Sequence, residues 1–281
     1  MNRENLYGYN PSIAAAVIFI LLFTATTVYH IWQLTKSRCR YFIPFVIGGI
    51  FQIIGYICRA DANNNLSSVT IYAIQSVLIL LAPPMYAASV YMVLGRLVHY
   101  LNAESLCIVR VKWMTKIFVS GDVFVFLLQA GGGGLMASHK TSTRNTGSNV
   151  VMFGLVVQLL FFGFFVVTAA IFHFRISKYP TTKAASDIQR TTGQGWKQRN
   201  WKTVLLALYA VCTLILIRCI YRLIEYKYGY SGYLMTHEAF TYIFDALLMF
   251  VAMVIMNVYH PAVILGDGKS YMMHGSEGMR L

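Results

Sequence analysis

The sequence predicts an all-α membrane protein, a bundle of seven transmembrane helices with its N-terminus outside and its C-terminus in the cytosol. Of its 281 residues 57% are hydrophobic and only 12% are charged, and the mean hydropathy is +0.58. Soluble domains carry about 25% charged residues. A bundle of about seven helices, each of roughly 20 residues, occupies most of this length and leaves no room for a soluble catalytic domain. Any activity must therefore reside in the bundle.

Seven apolar runs follow one another along the chain, and each has the length of about 20 residues that a spanning helix needs. Polar and glycine-containing stretches separate them, as expected for loops at the membrane surface. The first run is longer than the apolar core of a cleavable signal, so we interpret it as a retained span. The runs comprise residues 12–34, 41–58, 69–98, 112–136, 149–174, 201–224 and 238–260.

The orientation follows from the basic residues, which concentrate in the loops after the first, third and fifth runs and in the C-terminal tail. Loops rich in Lys and Arg face the cytosol. Residues 1–11 are therefore predicted to be extracellular, residues 12–260 to form the membrane domain, and residues 261–281 to form a disordered cytosolic tail. The sequon at Asn65 then lies outside. The net charge of +13 reflects these loops and indicates no nucleic-acid partner.

Ionisable residues inside the apolar runs are the main functional signal. Arg218, Arg222 and Glu225 occur at helical spacing (i, i+4, i+7), and Glu238 and Asp245 repeat an i, i+7 spacing in the next run. A charge in mid-bilayer costs about 2.5–3.5 kcal/mol, so such residues face a bundle interior or a wet cavity and pair with one another. The predicted polar pocket comprises Gln75, Asp122, Gln129, Gln158, Arg218, Arg222, Glu225, Glu238 and Asp245.

Two interpretations of these residues remain open. They either only join helices through hydrogen bonds, or they also line an outward-facing ligand cavity. The Pro83-Pro84 pair favours a cavity, because it removes two helix N–H donors and predicts a kink or break in the third span. In a cavity, the acids would attract a cationic headgroup, the arginines would hold the acids ionised or bind phosphate, and the glutamines would contact hydroxyl and amide groups. The deeper Asp122 would be a proton relay or a packed hydrogen-bond partner.

Histidines suggest a second chemistry, because His30, His99, His173 and His260 all fall at the cytosolic ends of odd-numbered runs. The leading prediction includes no cofactor. In the alternative, two or more imidazoles hold a haem iron or a metal there. The sequence contains neither an HExxH nor a GxSxG motif, so a metallohydrolase or serine hydrolase is not indicated. The seventh run contains no Lys for a retinal Schiff base. The protein is therefore predicted not to be an enzyme.

Several stretches, in order through the second to seventh runs, resemble the fungal RTA-like family, also called lipid-translocating exporters. One departure is Gln52, where the family pattern leads us to expect Glu. The matching stretches are GYICR (55–59), QSVLILLAPPMYAASVYMVLGR (75–96), GDVFVFLLQAGGGG (121–134), GLVVQLLFFGFF (154–165), IRCIYRLIEYKYGYSGYLMTHEAFTYIFDALLMF (217–250) and the closing HP (260–261).

This resemblance implies a seven-span protein of the fungal plasma membrane or of an internal membrane. Members are linked to tolerance of sterol analogues and other toxic lipophiles, to export of sphingoid long-chain bases and, in one branch, to porphyrin uptake. The predicted function is thus binding and translocation of an amphipathic lipid in the bilayer, or tolerance of it. The alternatives are a haem- or porphyrin-binding or porphyrin-transporting protein that uses the histidines, and a lipid-sensing receptor.

Overall fold

The computed structural model describes residues 12–63, 69–136, 140–191, 200–228 and 238–265, and all regular elements within these ranges are helices. The predicted extracellular segment 1–11, the sequon at Asn65 and most of the predicted cytosolic tail lie outside the described residues. The helices are α1 (Ile13–Ser37), α2 (Ile43–Asp61), α3 (Val69–Tyr100), α4 (Val111–Met136), α5 (Thr141–Lys178), α6 (Thr182–Thr191), α7 (Trp201–Tyr228), α8 (Glu238–Val258) and α9 (Ala262–Leu265), with short 3-10 turns at Arg40–Phe42 and Glu104–Leu106.

Six of these helices are long and apolar enough to cross a membrane, which makes the chain an integral membrane protein. They are α1, α2, α3, α5, α7 and α8. The helix of the fourth predicted span, α4, is not among the six. It is nevertheless 26 residues long and packs between α3 and α5.

The long helices form a closed ring in which neighbours in sequence are also neighbours in space. Each of α1 to α4 packs against the next helix, α5 packs against α7, α7 against α8, and α8 closes the ring on α1. Helix α3 also contacts α7 across the ring. As a result α3 contains many buried side chains, among them Tyr86 and Tyr91, which are completely buried.

Glycines allow α2 to approach its neighbours closely. A Cβ atom on Gly48 would lie 2.7 Å from the ring of Tyr86, and one on Gly55 would lie 2.6 Å from the side chain of Ile79, both on α3. On the other side, a Cβ atom on Gly49 would lie 2.4 Å from Oγ1 of Thr27 on α1. Small residues at helix contacts are the usual route to close packing in membranes, and here they bring α2 against both α1 and α3.

The structure does not break α3 at the proline pair, since the helix continues from Val69 to Tyr100 with Pro83 and Pro84 inside it. Both prolines are buried. Because proline has no N–H, the carbonyl group four residues earlier loses its helical donor. For Pro83 this is the carbonyl of Ile79, and it faces the site described below.

Helix α8 changes its winding part of the way along. It is α-helical at Glu238–Thr241, a π-helix at Tyr242–Leu247 and α-helical again at Leu248–Val258. Short π segments inside α-helices are frequent at functional sites. Asp245 lies within this segment and is completely buried.

Candidate functional site

The centre of the candidate site is the carboxylate of Asp245, which accepts hydrogen bonds from two arginines of α7. Nε of Arg218 donates to its Oδ1 and Nη2 of Arg222 donates to its Oδ2. These three residues lie within helices that are candidate spans, and Asp245 and Arg218 are almost inaccessible to solvent. Each carboxylate oxygen thus has its own guanidinium donor, so Asp245 connects α8 to α7 by two ion pairs.

A second carboxylate, Glu225, extends the network along α7. Its Oε2 accepts a 2.8 Å hydrogen bond from Nη1 of Arg222, while its Oε1 accepts one of 3.3 Å from the hydroxyl of Tyr221. That hydroxyl also lies 3.5 Å from Oγ1 of Thr241 on α8. The predicted i, i+4, i+7 row on α7 is therefore one connected set, in which Arg222 bridges two acids.

The Arg218 guanidinium is also held by the proline-containing helix α3. Its Nη2 donates a 3.0 Å hydrogen bond to the carbonyl oxygen of Ile79. This is the carbonyl that Pro83 leaves without a helical donor. Arg218 therefore bridges α3 and α8. The Ile79 carbonyl is available to accept its hydrogen bond because Pro83 has no N–H to donate.

A fourth ion pair joins α2 to the beginning of α8. Nη2 of Arg59 lies 3.1 Å from Oε1 of Glu238, and its Nε donates to the hydroxyl of Tyr242 at 3.2 Å. The other oxygen of Glu238 accepts the backbone N–H of Ser12, the N-cap of α1, at 2.8 Å. Glu238 therefore holds α1, α2 and α8 together.

We call these six charged residues the arginine–carboxylate cluster. Three arginines meet three carboxylates, so its formal charge is zero. Tyr56 of α2 lies near Asp245, Arg59 and Arg222, and its ring stacks on that of Tyr242, so the two halves of the cluster are close together. The most accessible side chains are those of Arg222 and Glu238, each 15% exposed, whereas the others are at most 5% exposed. The members are Arg59, Arg218, Arg222, Glu225, Glu238 and Asp245.

Three of the remaining predicted pocket residues lie on α4 and α5, and Gln75 lies on α3, one turn before Ile79. Gln129 of α4 donates a 3.0 Å hydrogen bond to Gln158 of α5, and both side chains are buried. Asp122 is buried at the side of α4 that faces Tyr91 of α3. Gln75 is buried near the beginning of α3. The structure thus distributes the predicted set among several helix contacts and brings five of its members into the cluster.

Arg59 was not among the predicted pocket residues, and neither were the tyrosines that connect the cluster. The signal for Arg59 in the sequence was its position one turn after Gly55, on the face of α2 that packs against other helices. Gln52, two turns before Arg59, is completely buried, and neither its amide oxygen nor its amide nitrogen has a hydrogen-bond partner in the described part of the protein. Gln52 lies one turn from Tyr56 and so close to the cluster.

The four histidines do not converge on one site. The rings of His30 and His260 are 6.4 Å apart and both pack against Phe42, so a macrocycle between them would have to displace that ring. His99 is exposed and paired with Glu104, and His173 packs against Trp201 and Tyr209. Among the described residues no group of three or more His, Cys, Asp or Glu side chains could hold a metal ion. Haem binding stays a prediction.

Fold and site together define an integral membrane protein whose spanning helices are joined by a buried, electroneutral set of ion pairs. Comparison with known protein families shows to which family the chain belongs. The family described as "RTA1 like protein" matches residues 45–267, and the chain belongs to this family. The resemblance seen in the sequence is therefore confirmed.

Three relatives illustrate the family. Protein RTM1 of Saccharomyces cerevisiae is 36% identical over 90% of both chains, and Protoporphyrin uptake protein 1 of the same species is 36% identical over 90% of this chain and 91% of its own. The Probable lipid transporter atnI of Emericella nidulans is 30% identical over 93% of this chain and 68% of its own. These names support a role in membrane transport or tolerance. No solved structure matches the chain.

Proposed function

We propose that the protein is a non-enzymatic, seven-span membrane protein that binds an amphipathic lipid, such as a sphingoid long-chain base, and moves it or gives the cell tolerance of it. In this proposal α4 also crosses the membrane, which brings the number of spans to seven. The N-terminus is outside, the C-terminus is cytosolic and the plasma membrane is the site of action. The relative atnI of Emericella nidulans is named a probable lipid transporter, which supports the ligand class.

The observation that carries this proposal is the arginine–carboxylate cluster. Buried ion pairs contribute little net stability, because the cost of removing two charges from water offsets their attraction. Hydrophobic side chains would join α2, α7 and α8 at lower cost, and ionisable residues inside spans usually serve a ligand or ion path. A cluster of zero net charge can exchange one internal ion pair for a pair with a charged lipid headgroup while staying neutral.

The accessibility of the cluster suggests where a headgroup enters. Arg222 and Glu238 are its most exposed members, and Nε of Arg222 has no hydrogen-bond partner in the described part of the chain. An anionic group would meet Arg222 first, whereas a cationic group would meet Glu238 and compete with Arg59 for it. Each acid of the cluster already has an arginine partner, so an incoming ammonium group must displace a guanidinium.

The test is lipid binding to the purified protein in nanodiscs, measured with a fluorescent long-chain base. We expect Glu238→Gln and Arg222→Gln to weaken binding at least tenfold while the protein stays folded. The matched control is Glu104→Gln, which removes a charge from an exposed pair outside the cluster. If both cluster variants fold and bind like the wild type, the cluster only joins helices and the proposed site is wrong.

A porphyrin ligand is the second candidate, because one relative with 36% identity is named Protoporphyrin uptake protein 1. The neighbouring His30 and His260 are the residues we would test, with the exposed His99 as control. Added haem should produce a shifted Soret band that His30→Ala abolishes and His99→Ala retains. A spectrum equal to that of haem in empty nanodiscs removes this candidate.

A further inference from the structure

Four acids lie in the long helices of the bundle interior, and three of them are paired with arginine. Asp122 of α4 is the exception: it is 5% exposed, and within the described residues its Oδ2 has no hydrogen-bond partner and neither oxygen forms an ion pair. A carboxylate in such surroundings is strongly disfavoured unless a cation accompanies it. Asp122 therefore differs in chemistry from the acids of the cluster.

Among the described residues, the side chains found next to Asp122 are uncharged. From α3 the hydroxyl of Tyr91 faces it, and from α7 the thiol of Cys219 interacts with it. Towards α5 the polar groups are the amides of Gln129 and Gln158, bonded to each other two turns further along α4. Cys219 also interacts with Arg218 and Asp245, so Asp122 lies beside the cluster but outside its ion pairs.

Aromatic rings occupy the space next to this carboxyl group. Tyr91 contacts Phe118 and Phe165 with ring centroids 5.2 and 4.5 Å apart, and Phe118 and Phe165 meet edge to face at 5.2 Å. Aromatic faces attract cations, most strongly where water is excluded. A buried acid without a cationic partner and a group of aromatic rings together favour an ammonium group as the ligand.

We propose that Asp122 is a proton–amine exchange site. In the free protein the carboxyl group holds a proton, and an amphipathic amine that enters as R–NH3+ displaces it. The products are the carboxylate paired with the ammonium group and one proton released to water, so atoms and charge balance without any further reactant. The inference rests on the proposed lipid-binding function: the headgroup enters at Arg222 and Glu238, and Asp122 is the position at which the ammonium group is finally held.

The amine itself stays charged over the range of the experiment, because alkyl ammonium groups resemble lysine, with a pKa near 10. Any change of affinity between about pH 5 and pH 8 then reports a group on the protein. With one proton released per amine, affinity rises about tenfold per pH unit as long as Asp122 is protonated in the free protein. It stops rising once the carboxyl group ionises without ligand.

The experiment compares hexadecylamine with its N-acetyl derivative, which has the same chain but no charge, using purified protein in neutral nanodiscs. Calorimetry in buffers of different ionisation enthalpy counts the protons released. We expect about one proton per bound amine, none for the acetylated compound, and affinity for the amine that rises with pH. Asp122→Asn should abolish both proton release and pH dependence and weaken amine binding at least tenfold, whereas Glu104→Gln should retain all three properties.

The outcomes separate the two proposals. If the amine binds the wild type without proton release or pH dependence, or if Asp122→Asn leaves both unchanged, the exchange site is wrong while lipid binding stands. If neither compound binds the wild type, the proposed function fails and the exchange site fails with it. Should Asp122→Asn not fold, proton release and pH dependence of the wild type still decide the question.

Discussion

Arg218 of α7 donates a hydrogen bond to the carbonyl oxygen of Ile79 on α3, and this carbonyl has no helical donor because Pro83 stands four residues later. Two groups that would otherwise lack hydrogen-bond partners thereby satisfy each other. A proline inside a helix leaves a carbonyl group unpaired, and a buried guanidinium has more donors than one carboxylate can accept. The contact satisfies both groups and fixes the arginine that holds Asp245.

The first prediction concerns this link. Pro83→Ala returns an N–H donor to the Ile79 carbonyl, so Arg218 loses its exclusive acceptor. The destabilisation caused by Arg218→Lys should then be smaller in the Pro83→Ala background than in the wild type, with a coupling free energy of about 0.5–3 kcal/mol, as for residues in contact. Thermal unfolding of the four proteins of this cycle measures it. Pro84→Ala is the control, because it restores the donor to Leu80. Additive effects in the Pro83 cycle would contradict the link.

The second prediction concerns the close contact that supports Ile79. Gly55→Ala places a Cβ atom 2.6 Å from Cγ1 of Ile79, so α2 or α3 must shift. Overpacking of this kind costs about 1–3 kcal/mol, and we expect a lower unfolding temperature and weaker lipid binding. Gly163→Ala is the matched control, since nothing lies within 4 Å of its Cβ position. Equal behaviour of the two variants would show that the contact is not tight.

The third prediction concerns charge balance at Asp245. Asp245→Asn leaves two buried arginines facing a neutral side chain, and breaking a buried pair from one side costs about 3–5 kcal/mol. Replacing Arg218 by Gln in the same protein removes the arginine whose carboxylate partner is Asp245, while Arg222 keeps its pair with Glu225, and should recover part of the lost stability. Melting temperatures of Asp245→Asn and of the double variant test this. A double variant less stable than Asp245→Asn would show that charge balance does not govern the cluster.

The fourth prediction tests orientation. A membrane-impermeant maleimide should label Ser142→Cys in intact cells, but Ser105→Cys only after permeabilisation. Both serines are exposed, and the proposed topology places Ser142, in the first turn of α5, outside and Ser105, in the turn between α3 and α4, in the cytosol. Native Cys107 gives little background, because burial raises the pKa of its thiol to about 11 and the thiolate, the reactive form, is scarce at pH 7. Labelling in the reverse order would invert the proposed topology.

Much of the architecture could be predicted from hydrophobic length alone. All seven apolar runs are helices, and six of them meet the criteria for a span. The boundaries differ most at α5, which begins at Thr141, eight residues before its predicted run, because polar residues continue the helix beyond the apolar segment. Length and composition report burial in lipid, and this signal is independent of which helices become neighbours.

The candidate site was harder to predict, because its contacts depend on which helices become neighbours. Spacing placed Arg218, Arg222 and Glu225 on one face of α7, and in the structure they form one connected set with Asp245. Their further partner, the Ile79 carbonyl, depends on α3 crossing the ring to reach α7. The Gln129–Gln158 pair lies between α4 and α5 because that contact, too, is decided by tertiary packing.

The two acids of α8 occur at i, i+7, a spacing that places both on one face of a regular α-helix. The π segment at Tyr242–Leu247 changes the turn between them, and each acid serves a different neighbour: Glu238 pairs with Arg59 of α2, and Asp245 with the arginines of α7. Because the two acids pair with different helices, loss of one of these contacts leaves the partner of the other unchanged. The change of winding thus lets a single helix attach to two different neighbours, α2 and α7, through two acids on its own chain.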